Sequence, residues 1–243
     1  MRLLTGPEPR DLDDDEVLAA YPWPDEGTWV RAMMVTTLDG AAAGPDGLSG
    51  SISSDADRSV FDAVRRHADA VLVGAGTVRA ENYQPMRAKE RDAAARQAAG
   101  QLPAPVLAIV TRSAELDWSH PRFTESTHTP IVLTVEGASG IEGAREHADV
   151  IVVPGDSVGA ADAIAALAAR GLRRIVCEGG PTFLHDIVSA DLLDEADITV
   201  SPTFAGTGRT PLTTTIDPVR FRLAEAMTED DFVMLRFVRR GES

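Results

Sequence analysis

The stretch "LRRIVCEGGPTFLHDIV", Leu172 to Val188, sets the architecture of the whole chain. An apolar, strand-like run opens into Gly179 and Gly180, then Pro181, then a helix. That order is a strand-to-helix corner. The start of a helix leaves N–H groups unpaired and carries partial positive charge, so such a corner suits an anion, although the same residues also read as a plain turn.

The same alternation repeats on either side. Towards the N-terminus, "WVRAMMVTTL" reads as a buried strand, "DADRSVFDAVRRHA" as a helix with Asp55 near its cap, and "DAVLVGAG" as a short strand ending in glycines. "RAKERDAAARQAAG" reads as a polar, alanine-rich helix closed by Gly100, followed by the strand "APVLAIVT". "TPIVLTV" and "ADVIVVPG" read as further strands around a helix or turn at "GASGIEGAREH". A helix over 157–170, closed by Gly171, precedes the opening corner, and "LLDEADITVSPTF" follows it as a strand. The tail "FRLAEAMTEDDFVMLRFVRR" alternates as two strands around "TEDD". Strands alternating with helices and ending in a hairpin imply an α/β fold, a mostly parallel central sheet covered on both faces, with an antiparallel edge.

Residues 1–28 carry four prolines and a run of acids and read as an extended N-terminal arm holding one short helix, which leaves 29–243 as a single domain. The 243 residues suffice for one full core. Against 38 acidic residues stand 23 basic ones, a formal charge of -15, which argues against nonspecific binding to nucleic acid or to an anionic membrane. The lone Cys177 cannot form an intrachain disulfide and fits a reducing cytosol. The five histidines show no metal-ligand spacing. Neither a secretory signal nor a bilayer-length apolar run is visible, so the chain reads as a soluble cytoplasmic protein.

Two more corners accompany the first. "VGAGTV", Val73 to Val78, begins like a dinucleotide fingerprint, but Arg79 stands where that pattern closes on glycine or alanine. A helix starting near Thr77 would still aim N–H groups and a hydroxyl at phosphate, and the alternative is a tight turn. In "VTRSAELD", Thr111, Arg112 and Ser113 end a strand with a guanidinium between two hydroxyls, a set that suits a phosphomonoester or else a solvated loop. Strand C-terminal ends converge on one edge of an α/β sheet, so the three corners point to a crevice for a phosphate-rich cofactor.

"MMVTTLDG", "SISSDADRSVFDAVRRHADAVLVGAGTVRAENY" and "RRIVCEGGPTFLHDIVSADLLDEADITVSPTFAGTG", in this order, resemble the reductase domain of riboflavin biosynthesis. The resemblance spans roughly 29–240 and implies a dihydrofolate-reductase-like three-layer sandwich. It implies NADPH-dependent reduction of the ribosyl group of a pyrimidine ribosylamine 5′-phosphate to ribityl. The likeness is to a stand-alone reductase, because one cysteine cannot supply the zinc site of the bifunctional members' deaminase.

By the same resemblance, the cofactor falls on Val35, Ser51, Thr77, Glu81, Thr111, Arg112 and Ser113, with its pyrophosphate on Gly179, Gly180, Pro181, Thr182 and Phe183. Bifunctional members typically carry tryptophan at the place of Ser51 and aspartate at that of Glu81. Substrate contacts fall on Asp39, Ser49, Ser53, Arg65, Arg87 and Glu178, the two arginines meeting the sugar phosphate. Glu81 and Asp39 are the candidate catalytic carboxyls, with Asp39 alternatively a turn cap beside Gly40. A homodimer is implied as well, through "ITVSPTF" as an apolar edge strand or through the last hairpin. Reduction of a pterin such as dihydrofolate, and noncatalytic NADPH binding, are the competing functions.

Overall fold

The computed structural model describes residues 1–81, 83–212 and 214–240. Asn82 in the second family motif, Thr213, and the last three positions of the 29–243 domain lie outside the described residues. In chain order the elements are β1 (Arg2–Leu3), β2 (Arg10–Asp11), α1 (Asp14–Ala19), β3 (Trp29–Thr36), α2 (Asp55–Arg65), β4 (Ala70–Gly74), α3 (Ala75–Ala80) and α4 (Glu90–Ala98). There follow β5 (Val106–Val110), α5 (Pro121–Thr124), β6 (Ile131–Val135), α6 (Ile141–His147), β7 (Asp149–Val153), α7 (Ala160–Ala169), β8 (Arg174–Cys177), α8 (Pro181–Ser189), β9 (Glu195–Val200), β10 (Phe221–Glu229) and β11 (Phe232–Arg239).

Among the described residues the strands form one sheet in the order β2-β1-β10-β11-β9-β3-β8-β4-β5-β6-β7. From β9 to β7 every pairing is parallel, and from β9 outward through β11, β10, β1 and β2 every pairing is antiparallel. This is the mostly parallel sheet with an antiparallel side expected of a dihydrofolate-reductase-like fold. The hairpin turns at Asp230 and Asp231, both at positive φ, 50° and 66°, the left-handed pair a two-residue turn needs.

Side-chain alternation splits the core into two layers. Val30, Ala32, Leu72, Ala108, Ile175 and Cys177 face α7 and α8, meeting Leu167, Leu184 and Ile187. Ile187 is fully buried, a burial that stabilises by about 1.5–3 kcal/mol. The opposite face carries Met33 and Val176 against Val60 and Val64 of α2, and Val71 and Val73 against Val78 of α3.

The arm carries one short helix, α1, and packs on the domain: β1 pairs with β10, β2 pairs with β1, and Leu12, Val17 and Tyr21 are buried beside α2. Two sequence readings change. "ITVSPTF" is not an edge, because β9 runs between β11 and β3; in the hairpin, β1 pairs with β10 only at Met227 and Thr228, and the outermost strands are β2 and β7. The helix expected near Thr77 begins at Ala75, directly on the end of β4. Among the described residues no helix is long and apolar enough to cross a membrane.

Candidate active site

β8 lies between β3 and β4, although these two strands follow one another in the chain. At such a switch of strand order the connections leave in different directions and open a crevice at the C-terminal strand ends. A cavity of 1090 Å³ lies there, lined by β3, the loop over 42–50, α2, α3, the Glu178–Pro181 corner and residues 208–212. This exceeds the usual volume of a single small-ligand site, about 300–1,000 Å³.

The two glycine corners are joined to each other. Gly74 donates its N–H to the Gly179 carbonyl at 3.0 Å, and Gly180 donates to Thr77 Oγ1 at 3.0 Å. Gly179 and Gly180 have φ of 92° and 52°, the left-handed region that L side chains resist. A Cβ on Gly180 would stand 3.5 Å from Thr77 Oγ1 and 3.6 Å from Gly74 Cα. The close approach leaves bare backbone on the cavity wall, beside the start of α8. Thr77→Val keeps the shape but removes the acceptor of the Gly180 N–H. Urea unfolding should show a loss of about 1 kcal/mol, with faster hydrogen exchange at Gly180.

Directly before this glycine corner, Glu178 at the end of β8 meets Arg65 of α2 across 113 residues of sequence. Arg65 Nε and Nη2 donate to the two carboxylate oxygens at 2.6 and 2.5 Å. Burial opposes the Arg65 charge, but the Glu178 carboxylate outweighs it and raises the guanidinium further. Tyr83 completes the group: burial and then the neighbouring Glu178 charge push its hydroxyl well above the ordinary range. Two of the five guanidinium N–H groups are used by the pair, so three remain for a ligand.

Beyond Arg65 a smaller cavity of 170 Å³ adjoins the first, sharing Asp62, Arg65 and Gln84 with it. Its wall includes Arg66, Arg87, Lys89 and Arg96, with Asp92 as the further acid. Arg87 therefore borders this side pocket rather than the main cavity. It is exposed and paired with Glu125.

The remaining expected residues divide by position. Val35, Ser49, Ser53, Thr77, Glu81, Gly179, Gly180 and Pro181 line the main cavity together with Arg65 and Glu178. Glu81 Oε1 accepts the Ser49 N–H at 2.7 Å, tying the 42–50 loop to the end of α3. Thr182 is exposed in the first turn of α8, and Phe183 is buried in the core, so only its backbone N–H can serve the corner. Thr111 is buried with its hydroxyl accepting from Ala114 N at 3.1 Å. Arg112 is exposed and forms no ion pair among the described residues, and Ser113 Oγ accepts from Glu115 N at 3.3 Å.

Two readings need correction. Asp39 lies outside the cavity lining and accepts from Thr37 Oγ1 at 2.5 Å and from the N–H groups of Ala205 and Gly206 at 3.0 and 2.7 Å. Thr37 first, then these backbone donors, lower its pKa to about 2, so it clamps a loop as a carboxylate and has no proton to give near neutral pH. Ser51 also lies outside the lining, its hydroxyl donating to Asp46 Oδ1 at 2.8 Å and to the Leu48 carbonyl at 3.0 Å.

Sequence reasoning passed over Asp57, Tyr83, Arg58 and Arg209, all of which line the cavity. Asp57 follows Ser54 at the spacing of a helix cap, which hides any other use.

Residues 28–234 match the family model described as the RibD C-terminal domain. The chain is 25% identical over 179 residues to the 2,5-diamino-6-ribosylamino-4(3H)-pyrimidinone 5′-phosphate reductase of Archaeoglobus fulgidus, covering 73% of this chain and 82% of that one. It is 26% identical over 217 residues to the reductase of the same name from Methanothermobacter thermautotrophicus, covering 84% and 95%. Among solved structures, a pyrimidine reductase-like protein from Corynebacterium diphtheriae superposes with a TM-score of 0.79 at 26% identity, covering 88% of this chain and 93% of that one.

Proposed function

The chain belongs to the RibD C-terminal domain family, and from that premise we propose that it reduces the ribosyl group of a pyrimidine ribosylamine 5′-phosphate to ribityl with NADPH, in riboflavin biosynthesis. The names of the archaeal relatives favour the 2,5-diamino pyrimidinone over its deaminated form, 5-amino-6-(5-phosphoribosylamino)uracil. One observation carries the reading: a single cavity lined by bare glycine backbone and, next to it, by a carboxylate–guanidinium pair, adjoining a cation-lined side pocket.

The residues fit a nicotinamide cofactor. Gly179, Gly180 and the unpaired N–H groups opening α8 suit the pyrophosphate, Thr77 and Val35 flank it, and the Thr111–Ser113 loop stands at the same strand edge. When bound, the nicotinamide supplies the hydride. The protein's own part is alignment and charge placement. Glu178 keeps room to accept from the pyrimidine: a carboxylate has about four acceptor sites, and Arg65 and Tyr83 use three. Arg65 and the side pocket bearing Arg87 suit the sugar phosphate. Glu81 orients the end of the cofactor through its hold on the 42–50 loop.

NADPH oxidation by the purified protein, run in parallel with the diamino compound, its deaminated form and dihydrofolate, tests the assignment. Turnover on a ribosylamine phosphate is the expected result, and turnover on dihydrofolate alone would move the protein to folate chemistry. Arg112→Ala should weaken NADPH by about 1–3 kcal/mol while leaving NADH nearly unchanged, as measured by fluorescence titration. An unaltered preference would place the 2′-phosphate elsewhere. The reading includes a cytoplasmic homodimer. Its contact falls on Phe204, 75% exposed, or on the uncovered part of the hairpin strand β10, and light scattering of Phe204→Ser distinguishes the two.

A further inference from the structure

Asp57 is the acid that the cavity wall hides most completely. Its backbone N–H caps onto Ser54 Oγ at 3.2 Å, as the spacing predicts, but its carboxyl bonds the Ser53 hydroxyl, just before the cap, instead of the Ser54 backbone N–H. The residue is 2% exposed. Its Oδ2 lies 2.6 Å from Ser53 Oγ, and Oδ1 is buried with no hydrogen-bond partner in range. The Thr199 hydroxyl adds a weaker interaction from β9.

Asp57 forms no ion pair among the described residues. Burial raises its pKa, against the hydrogen bonds from Ser53 and Thr199 and the more distant charge of Arg58. On its own helix Asp55, Arg58 and Asp62 are exposed to solvent. The same cavity is lined by Glu81, the Glu178–Arg65 pair with Tyr83, and Arg209, while Asp197 lies two residues from Thr199 in β9. Both Ser53 and Asp57 line the cavity, where half-buried Ser53 is the more accessible and stands beside the nearly fully buried Asp57.

Resting on the reductase reading above, we propose that Ser53 and Asp57 form the proton-donating pair of this site. As hydride adds to the anomeric carbon of the open-chain imine, the second electron pair of the C=N bond goes to nitrogen, which takes the proton of Ser53 Oγ. Asp57 returns a proton to Ser53 and becomes a carboxylate, and water reprotonates it after product leaves. Each turnover consumes one hydride from the nicotinamide and one proton from solvent. Ser53 touches the substrate; Asp57 is a positioning and proton-holding residue that acts through it.

The first readout needs no substrate. In the apo protein labelled with 13C at its aspartate carboxyls, a resonance distinct from those of buried Asp194 and Asp197 should titrate above the ordinary carboxylate range and vanish in Asp57→Asn. Kinetically, Asp57→Asn and Ser53→Ala should each lower kcat about 100-fold with NADPH affinity unchanged. The wild-type kcat should fall as pH rises through the Asp57 pKa, since the protonated acid is the working form, and Asp57→Asn should lose that limb. An Asp57 resonance in the ordinary range, or an Asp57→Asn variant with kcat within about threefold of wild type, overturns the pair. Wild-type turnover is measured first: a wrong substrate assignment shows as an inactive wild type, whereas a wrong donor shows as an active variant. With an inactive wild type, the carboxyl titration alone decides.

Discussion

Glu195→Ala should lower the stability of the fold by about 3–5 kcal/mol, the largest loss expected of any single truncation in this chain. Glu195 is fully buried at the start of β9 and serves three donors at once. Arg236 Nε approaches Oε1 at 2.7 Å, while Trp29 Nε1 and Arg31 Nη2 approach Oε2 at 3.0 and 3.2 Å. Arg31 is itself fully buried, stacked 4.1 Å over the Trp23 ring and donating to the backbone carbonyl of Tyr21 at 3.2 Å. Burial lowers its pKa and Arg236 adds to this, while Asp197 and Glu195 oppose it. Asp197 is the weaker partner: burial first, then the neighbouring Glu195 charge, push it well above the ordinary range, and burial stays when Glu195 is removed. Glu195→Ala therefore leaves two guanidinium groups, Arg31 and Arg236, sharing one buried, poorly hydrogen-bonded acid. At about 2–4 °C per kcal/mol for a chain near this size, the melting midpoint should drop by roughly 6–20 °C, read by circular dichroism. A loss below about 1 kcal/mol would mean that water already reaches the cluster.

That cluster also marks where sequence reading stops. The apolar runs of β3, β4, β5, β6 and β8 announce themselves, because a strand buried on both faces needs an unbroken apolar stretch. The glycine corners announce themselves too, since positive φ at Gly179 and Gly180 demands that residue. By contrast, β1 and β2 are two residues long, and nothing in "RL" or "RD" signals a strand; they exist because β10 offers an open edge. Arg31 reads as a polar flaw in an apolar run until Glu195, 164 residues away, is placed beside it. Arg65 alone suggests a surface helix residue, and its pairing with Glu178 depends on β8 being inserted between β3 and β4. Asp57 misleads in the opposite direction, since Ser-x-x-Asp already has a complete local explanation as a cap. The residue types of the site were legible where backbone geometry forced them. Their partners were not, because each is set by strand order.

Glu178→Gln is the substitution on which stability and chemistry should separate most clearly. The carboxylate side chain is 2% exposed, while its partner Arg65 keeps 28% of its side chain towards the cavity. Loss of the charge therefore leaves a guanidinium that cavity water can still reach, unlike Arg31, and stability should fall by only about 1–3 kcal/mol. The chemical cost should be greater. A glutamine carboxamide offers a single acceptor oxygen and directs its NH2 either at Arg65 or at the N–H groups of the pyrimidine, so one donor-to-donor contact is unavoidable. In the proposed reaction kcat/KM for the ribosylamine phosphate should then drop about 10³-fold or more, roughly 4 kcal/mol of lost discrimination. The glycine wall is untouched, so NADPH affinity should stay close to wild type. Parallel loss of NADPH binding would show that the Arg65–Glu178 pair supports the whole crevice rather than its substrate half, and an unchanged kcat/KM would remove Glu178 from pyrimidine recognition altogether.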